Sequence, residues 1–264
     1  MPADYHTHTP LCRHAVGTPQ QYVEAALAAG ISEYGISCHA PQRPEPFDDW
    51  RMLEHQLPDY LEWIAQAKEH AGNSIPVRAG LECDWLDGCE PWIESLAQRH
   101  DWDYLIGSVH YLGAWDFDNP KWLDRWAESD IDTIWDDYWQ RFIQAAKSGL
   151  FDIMAHPDLV KKFGYRPKGD LARYYEAAIE AVAAAGIAIE INTAGWHKPC
   201  AEAYPSAEFL AMAAKANIPL VISSDAHAPN EIGRDFPRAI ELAKSAGFTH
   251  TVKFCRRKRS EDAI

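Results

Sequence analysis

The chain has 264 residues, of which 47% are hydrophobic and 24% are charged, proportions typical of a globular protein. This length suits one α/β barrel, so we expect a single domain over residues 1–264, with a basic tail from about residue 256. The net charge of −14 argues against a nucleic-acid partner, because proteins that bind phosphate backbones present a basic surface.

Cysteine usage and the N-terminal sequence indicate where the protein works. Six cysteines are scattered without C-x-x-C pairs, as is typical of a reducing compartment. The chain starts with no basic patch followed by an apolar run, and its longest apolar stretches have the length of strands or helices. We therefore expect a cytoplasmic protein without a membrane partner.

Strand-like and helix-like segments alternate along the chain. After a first strand at the N-terminus, short apolar runs predict strands over residues 31–37, 75–81, 104–109, 151–155, 187–191 and 220–224. Apolar residues at helical spacing predict helices over residues 20–29, 57–70, 91–98, 132–147, 171–185 and 207–216. These seven β/α units predict a parallel sheet, either closed as a barrel or doubly wound.

Residues that bind metals fall at the carboxyl ends of the predicted strands. His6 and His8 are two apart on the first strand, so their side chains leave it on the same face. Later strands are followed by His39, Glu82, His110, His156, Asp225 and His227, and His14 lies in the loop after the first strand. Because these strand ends meet at one edge of an α/β fold, the residues predict a multinuclear metal site.

Taken singly, several of these positions also fit simpler roles. Residues 156–158 read as a polar turn after a strand, because the proline at 157 keeps the preceding residue extended. Asp84 and Asp87 compete with Glu82 for the role of the carboxylate ligand. The joint pattern, rather than any single residue, supports the metal site.

The ordered set of ligands resembles the PHP (polymerase and histidinol phosphatase) superfamily, and within it the histidinol-phosphatase branch. The local sequences that carry the resemblance are DYLIGSVHY at 103–111, FDIMAHPD at 151–158, EINTAG at 190–195 and SDAH at 224–227. The resemblance runs from residue 4 to about residue 255. It implies a distorted (β/α)7 barrel with a metal site at the C-terminal end of the strands.

The same resemblance implies three divalent or trivalent ions, either zinc, iron or manganese, and a bridging hydroxide. It assigns the first ion to His6, His8, Glu82 and Asp225, the second to Glu82, His110 and His156, and the third to His14, His39 and His227. All nine positions carry an acceptable ligand. Two cations about 3.5–4 Å apart can share a hydroxide and clamp both oxygens of a displacement at phosphorus.

The resemblance implies hydrolysis of a small phosphate monoester, L-histidinol phosphate, to L-histidinol and phosphate in histidine biosynthesis. One alternative is another phosphoesterase of the superfamily, acting on nucleotides or on DNA ends. A second alternative is a non-catalytic metal-binding module, although such modules usually lose ligands and this chain lacks none of the nine.

Other residues are candidates for catalysis and substrate binding. We expect Glu82 and Asp225 to be the catalytic carboxylates, and His197 or Asp158 to protonate the leaving alkoxide. Loop residues expected to contact the substrate are Lys161, Lys162, Arg166 and His197 at the phosphate, and Tyr111, Trp115 and Phe117 around the imidazole ring. The lysines also fit a purely solvated role. The histidinol-phosphatase branch leads us to expect arginine more often than histidine in the 193–198 loop, so His197 leaves the second phosphate contact open.

Overall fold

The computed structural model describes residues 1–264 as ten strands and eight α-helices. The strands are β1 (Tyr34–Ile36), β2 (Val77–Asp84), β3 (Tyr104–Ser108), β4 (Tyr111–Leu112), β5 (Trp115–Asp116), β6 (Ile153–Met154), β7 (Ala188–Asn192), β8 (Leu220–Ser223), β9 (His250–Cys255) and β10 (Lys258–Ala263). The helices are α1 (Pro19–Ala29), α2 (Leu57–Ala71), α3 (Glu90–Ala97), α4 (Leu123–Glu128), α5 (Ile131–Lys147), α6 (Ala172–Ala185), α7 (Ala207–Lys215) and α8 (Phe236–Ala246). None of these helices has the length and apolar character needed to span a bilayer.

Six strands form one parallel sheet in the order β1-β2-β3-β6-β7-β8. The position of a seventh strand is taken by the extended segment 4–8. Asp4 bridges to Tyr34 at one edge of the sheet, and Thr7 bridges to Ala226 beyond the other edge, both in parallel orientation. The predicted distorted (β/α)7 barrel is therefore confirmed, with an irregular segment in place of its first strand.

The buried carboxylate of Asp4 fastens this closure. It accepts hydrogen bonds from the backbone N–H of Ser224 at 3.0 Å and of Gly233 at 3.1 Å, and from the Ser224 hydroxyl. Burial raises the pKa of Asp4 to about 6 although these bonds favour its ionised form. Gly35 lets the segment approach closely, because a Cβ there would lie 2.6 Å from the Tyr5 ring.

Capping residues set the ends of the helices. Thr18 and Gln21 form a capping box at the start of α1, and Gly30 ends that helix in the left-handed conformation. The long helix α5 buries Trp135, Trp139 and other aromatic residues on one face. The predicted helices agree with the observed ones within one or two residues, while α4, α8 and the hairpins β4–β5 and β9–β10 were not predicted.

The basic segment near the C-terminus is not a free tail, contrary to the sequence expectation. Strands β9 and β10 pair in antiparallel fashion, and Arg256 and Arg257 form the turn between them. The Nε of Arg257 lies 2.8 Å from Oδ2 of Asp152, and the backbone N–H of Arg256 donates to Asp103. Carboxylates at the bottom of the barrel thus hold the turn against the sheet.

Replacing the closing carboxylate should weaken the whole barrel. In Asp4→Ala, the buried N–H groups of Ser224 and Gly233 lose their acceptor, which should lower the free energy of unfolding by about 1–3 kcal/mol or more. Urea denaturation followed by circular dichroism measures the change. Asp101→Ala, at an exposed carboxylate, is the matched control. Equal unfolding midpoints for the two variants would contradict the role of Asp4.

Candidate functional site

All nine predicted ligands meet at the carboxyl end of the barrel. The cavity there has a volume of about 490 Å³ and is lined by seven of them, His14, His39, Glu82, His110, His156, Asp225 and His227. The two others, His6 and His8, are fully buried beside it. The His6 ring centroid lies 5.7 Å from that of His156, and the His8 centroid lies 4.0 Å from that of His227.

Glu82 lies at the centre of the cluster. Its Oε2 is 2.6 Å from Nδ1 of His39 and 3.4 Å from Nε2 of His6, and its Oε1 is 3.2 Å from Nε2 of His156 and 3.7 Å from Nε2 of His110. Burial alone would raise the pKa of Glu82, but the surrounding imidazoles hold this pKa well below its usual range. Glu82 is therefore ionised, with imidazole nitrogens around both of its oxygens.

The donor atoms of the cluster fit metal ions. Three triads bring their ligand atoms within 4.8 Å of one another, namely His6-His8-Asp225, His6-Glu82-His156 and His8-His39-His227. Buried atoms in these triads that lack a hydrogen-bond partner include Nε2 of His6, Nδ1 of His39, Oε2 of Glu82 and Nε2 of His227. Unpartnered buried polar atoms are costly, and a shared cation satisfies nitrogen and carboxylate lone pairs together.

Asp225 and His14 complete the cluster. Oδ1 of Asp225 lies 3.0 Å from Nε2 of His8, and burial of Asp225 is outweighed by nearby His6 and His8, which hold its pKa well below the usual range. His14 is more exposed, and its ring centroid lies 4.5 Å from that of His227. The structure thus brings the two residues to the same cavity.

Glu190 is a part of the site that the sequence did not predict. Its Oε1 lies 2.9 Å from Nδ1 of His6, and its Oε2 accepts the backbone N–H of His156 at 2.9 Å. Because a carboxylate only accepts, Nδ1 of His6 carries the proton and Nε2 is left to face Glu82. The signal was a single carboxylate within the apolar run 187–191, which was read as an ordinary buried strand.

Asp84 does not compete with Glu82 but supports a different ligand. Its Oδ1 lies 2.7 Å from Nδ1 of His110, and its Oδ2 accepts a bond of 2.9 Å from the buried Arg51. Arg51 belongs to the loop after β1, which also carries Trp50. The Trp50 ring lines the cavity, 4.7 Å from the His39 ring and 5.5 Å from the His110 ring. Asp87, the other candidate, is exposed and pairs with Arg141.

Lys161 and Asp158 do not reach the cavity, contrary to their expected roles. Both side chains are completely buried, and Nζ of Lys161 lies 3.0 Å from Oδ2 of Asp158. Asp158 also accepts the backbone N–H of Ser206, and burial raises its pKa to about 6. The two residues neutralise each other inside the 157–162 loop, because a buried charge needs a partner.

Arg166 and His197 also pair away from the cavity. Arg166 lies 2.7 Å from a carboxylate oxygen of Glu202, and Nε2 of the half-exposed His197 lies 2.6 Å from Oδ2 of Asp235. Neither residue lines the cavity. Of the predicted basic contacts only Lys162 does so, and its Nζ is 2.9 Å from Oδ2 of Asp118.

The predicted aromatic lining is also absent. Trp115 and Phe117 are buried, and their rings pack 5.4 Å and 6.3 Å from the ring of Trp126. Tyr111 donates to Asp48 and stacks on Trp50 at 5.8 Å, behind the cavity wall. The short β4–β5 hairpin folds these residues inward, so Trp50 and Tyr204 supply the aromatic surface instead.

Comparison with known proteins identifies the family to which this chain belongs. A sequence model of the PHP domain matches residues 4–194. The chain belongs to the PHP domain family. Over 256 residues this PHP chain is 44% identical to a protein of Deinococcus radiodurans named probable histidinol-phosphatase, with 97% of each chain covered.

Two further relatives extend the comparison. The histidinol-phosphatase of Bacillus subtilis is 26% identical over 262 residues, which cover 90% of this chain and 98% of the relative. A crystal structure of the histidinol phosphate phosphatase of Lactococcus lactis, in complex with zinc, L-histidinol and phosphate, superposes with a TM-score of 0.83. It is 20% identical and covers 98% of each chain, which shows that the two share a fold.

Glu190→Gln should weaken metal binding. A glutamine can accept from His6 through its oxygen, but its amide group then faces the backbone N–H of His156, so two donors oppose each other. We expect zinc affinity to fall about 10- to 100-fold, as measured by competition with a chromophoric chelator. Glu176→Gln, at an exposed position of α6, is the control. Unchanged affinity would show that Glu190 does not orient His6.

Metal binding should release protons. Burial lowers the pKa values of His8 and His110, but Asp225 beside His8 and Asp84 beside His110 raise each to about 9 in the metal-free protein. Both rings are therefore doubly protonated and positively charged at pH 7. Each must lose one of its two protons to bind a cation, so zinc affinity should rise with pH from 7 to 9.

Calorimetric titration of zinc in buffers of different ionisation enthalpy measures this proton release. Asp84→Asn removes the charge that raises the pKa of His110, so this variant should release fewer protons than the wild type. Heats that do not depend on the buffer would contradict the expected protonation states.

Proposed function

We propose that this PHP protein is a metal-dependent phosphatase that converts L-histidinol phosphate and water to L-histidinol and phosphate. The observation that carries the proposal is the 44% identity, over 97% of both chains, to a relative named probable histidinol-phosphatase. The complete ligand cluster in the cavity agrees with it. The reaction places the protein in histidine biosynthesis.

The proposal assigns up to three ions to the cluster. His6, His8, Glu82 and Asp225 would hold the first, Glu82, His110 and His156 the second, and His14, His39 and His227 the third. Bound there, the ions would supply a shared hydroxide near neutral pH and would neutralise charge on the phosphoryl oxygens. The imidazole-rich set fits zinc or iron, and the carboxylates also admit manganese.

The protein's own residues give the cavity both charges that the substrate needs. L-histidinol phosphate carries an anionic phosphate, a cationic amine and an imidazole ring. The basic residues that line the cavity are Lys162, Lys198 and Arg234, and the acidic residues that line it include Asp49, Asp118 and Glu231. A cavity of about 490 Å³ also fits a small ligand. This mixed lining favours a compact zwitterionic substrate.

The alternative functions account for fewer of these features. A DNA-end phosphoesterase would need a basic path for the strand, whereas acidic groups border this cavity and the net charge is −14. A non-catalytic metal module would not require both a full ligand set and an open cavity of this size. A nucleotide phosphatase is distinguished from a histidinol-phosphatase by its substrate preference.

The proposal also includes a single domain and a cytoplasmic location. Residues from Cys12 to Phe248 share one hydrophobic core, which supports a single domain over residues 1–264. All six cysteines are free thiols, including the buried Cys12 and Cys38, which suits a reducing cytoplasm.

Substrate preference tests the proposed reaction. The zinc-loaded protein should release phosphate from L-histidinol phosphate with a kcat/KM roughly a hundredfold or more above those for nucleoside monophosphates and an aryl phosphate. The mixed charges of the cavity recognise the amine and ring as well as the phosphate. Phosphate release measured with a colorimetric reagent gives all three values. Equal or higher values for the other substrates would indicate a broader phosphoesterase.

The metal requirement is tested in the same assay. His110→Ala should lower kcat/KM by at least about a hundredfold, since the loss of an outer-shell partner alone costs 10–100-fold. His70→Ala, at an exposed histidine of α2, should match the wild type. A chelator should abolish turnover and added zinc should restore it. Full activity in the chelator would exclude the metal mechanism.

A further inference from the structure

The sequence leaves open which residue binds the phosphate beside Lys162. Three of the four basic candidates, Lys161, Arg166 and His197, pair with acidic groups away from the cavity. The cationic residues that do line it are Lys162, Lys198 and Arg234. Arg234 was not among the candidates, because it follows the last ligand pair in a loop of ordinary composition.

The two lysines are poorly prepared to fix an anion. Nζ of Lys162 is 2.9 Å from Oδ2 of Asp118, so this lysine already has a carboxylate partner in the cavity. Lys198 is exposed and forms neither an ion pair nor a side-chain hydrogen bond. A flexible exposed lysine loses considerable side-chain entropy when a ligand orders it.

Arg234 is held in place by one edge of its guanidinium group. Its Nη1 donates to Oε1 of Glu231 at 3.0 Å, and Oε2 of Glu231 accepts the backbone N–H of His227 at 2.8 Å. Glu231 therefore ties Arg234 to the backbone of a cluster residue. This arrangement places the guanidinium at the cavity before any ligand arrives.

The other edge of the same guanidinium has no partner. Nε of Arg234 is buried without an acceptor, and Nη2 makes no hydrogen bond. These two N–H groups point in parallel, a geometry that matches two oxygens of a phosphate or carboxylate. An unsatisfied buried donor on a charged group is costly, so the side chain would gain by turning this edge toward an anionic ligand in the cavity.

We propose that Arg234 binds the phosphoryl group of the substrate through its Nε–Nη2 edge. It would thus provide the second phosphate contact, which the family resemblance led us to expect from an arginine in the 193–198 loop. This inference rests on the proposed phosphatase function and adds a specific residue to it. Because Glu231 links Arg234 to His227, the bound phosphoryl group lies next to the ligand cluster. The contact is to phosphate and is shared by every monoester.

Binding of inorganic phosphate gives the direct test. Calorimetric titration of phosphate into the zinc-loaded protein should show affinity falling roughly 10- to 100-fold in Arg234→Gln, because two charge-assisted hydrogen bonds are lost. Arg234→Lys keeps the charge without the two-point edge, so its affinity should lie between the two. Arg238→Gln is the matched control, since this exposed arginine stacks on Trp196 at 4.1 Å outside the cavity.

A second readout separates phosphate binding from recognition of the leaving group. In Arg234→Gln, kcat/KM should fall by the same factor for L-histidinol phosphate and for an aryl phosphate. Bound zinc and the melting temperature should match the wild type. Phosphate affinity unchanged in Arg234→Gln, a loss confined to one substrate, or a parallel loss of zinc would each overturn the inference.

The two proposals fail in different ways. A wild type that hydrolyses the aryl phosphate but not L-histidinol phosphate overturns the proposed function, while weaker phosphate binding in Arg234→Gln still supports the role of Arg234. A zinc-loaded wild type that binds no inorganic phosphate overturns that role.

Discussion

The buried carboxylate of Glu82 sets the main constraint on this molecule. An ionised carboxylate away from water is stable only if its surroundings supply compensating charge or hydrogen bonds. Here that compensation comes from five imidazoles, those of His6, His8, His39, His110 and His156, carried by four separate segments of the chain. One charge thereby fixes how closely four loops approach one another. The outer carboxylates of Asp84 and Glu190 then fix which nitrogen of His110 and His6 faces inward.

The barrel meets this constraint by using an irregular first segment. A regular strand would pair along its whole length, whereas segment 4–8 forms one bridge to each side, at Asp4 and at Thr7. Its pairing is therefore supplemented by side chains, with Asp4 binding the backbone of Ser224 and Tyr104 donating to the carbonyl of Tyr5. These contacts leave His6 and His8 fully buried, with their rings at the cluster. The same contacts therefore close the barrel and position two of the ligands, His6 and His8.

Much of this arrangement could be predicted from the sequence, for a physical reason. Parallel strands bring their carboxyl ends to one edge, so a ligand such as His110 or His156 can be placed by its position after a strand without knowing its contacts. The ends of helices could be predicted equally well, because Thr18 and Gly30 act through local backbone chemistry. Loop side chains behave differently. Lys161 turned inward to Asp158, since a charge pairs with whichever opposite charge the tertiary fold brings near.

The position of segment 4–8 in the barrel has a consequence for how the protein is made. This segment is translated more than two hundred residues before its neighbour on one side, residues 224–226. During synthesis the nascent barrel has an open seam, and helices such as α1 and α2 can dock before the seam closes. His6 and Asp225 meet only when the seam closes. The full ligand cluster can therefore assemble only after Asp225 and His227 have been translated.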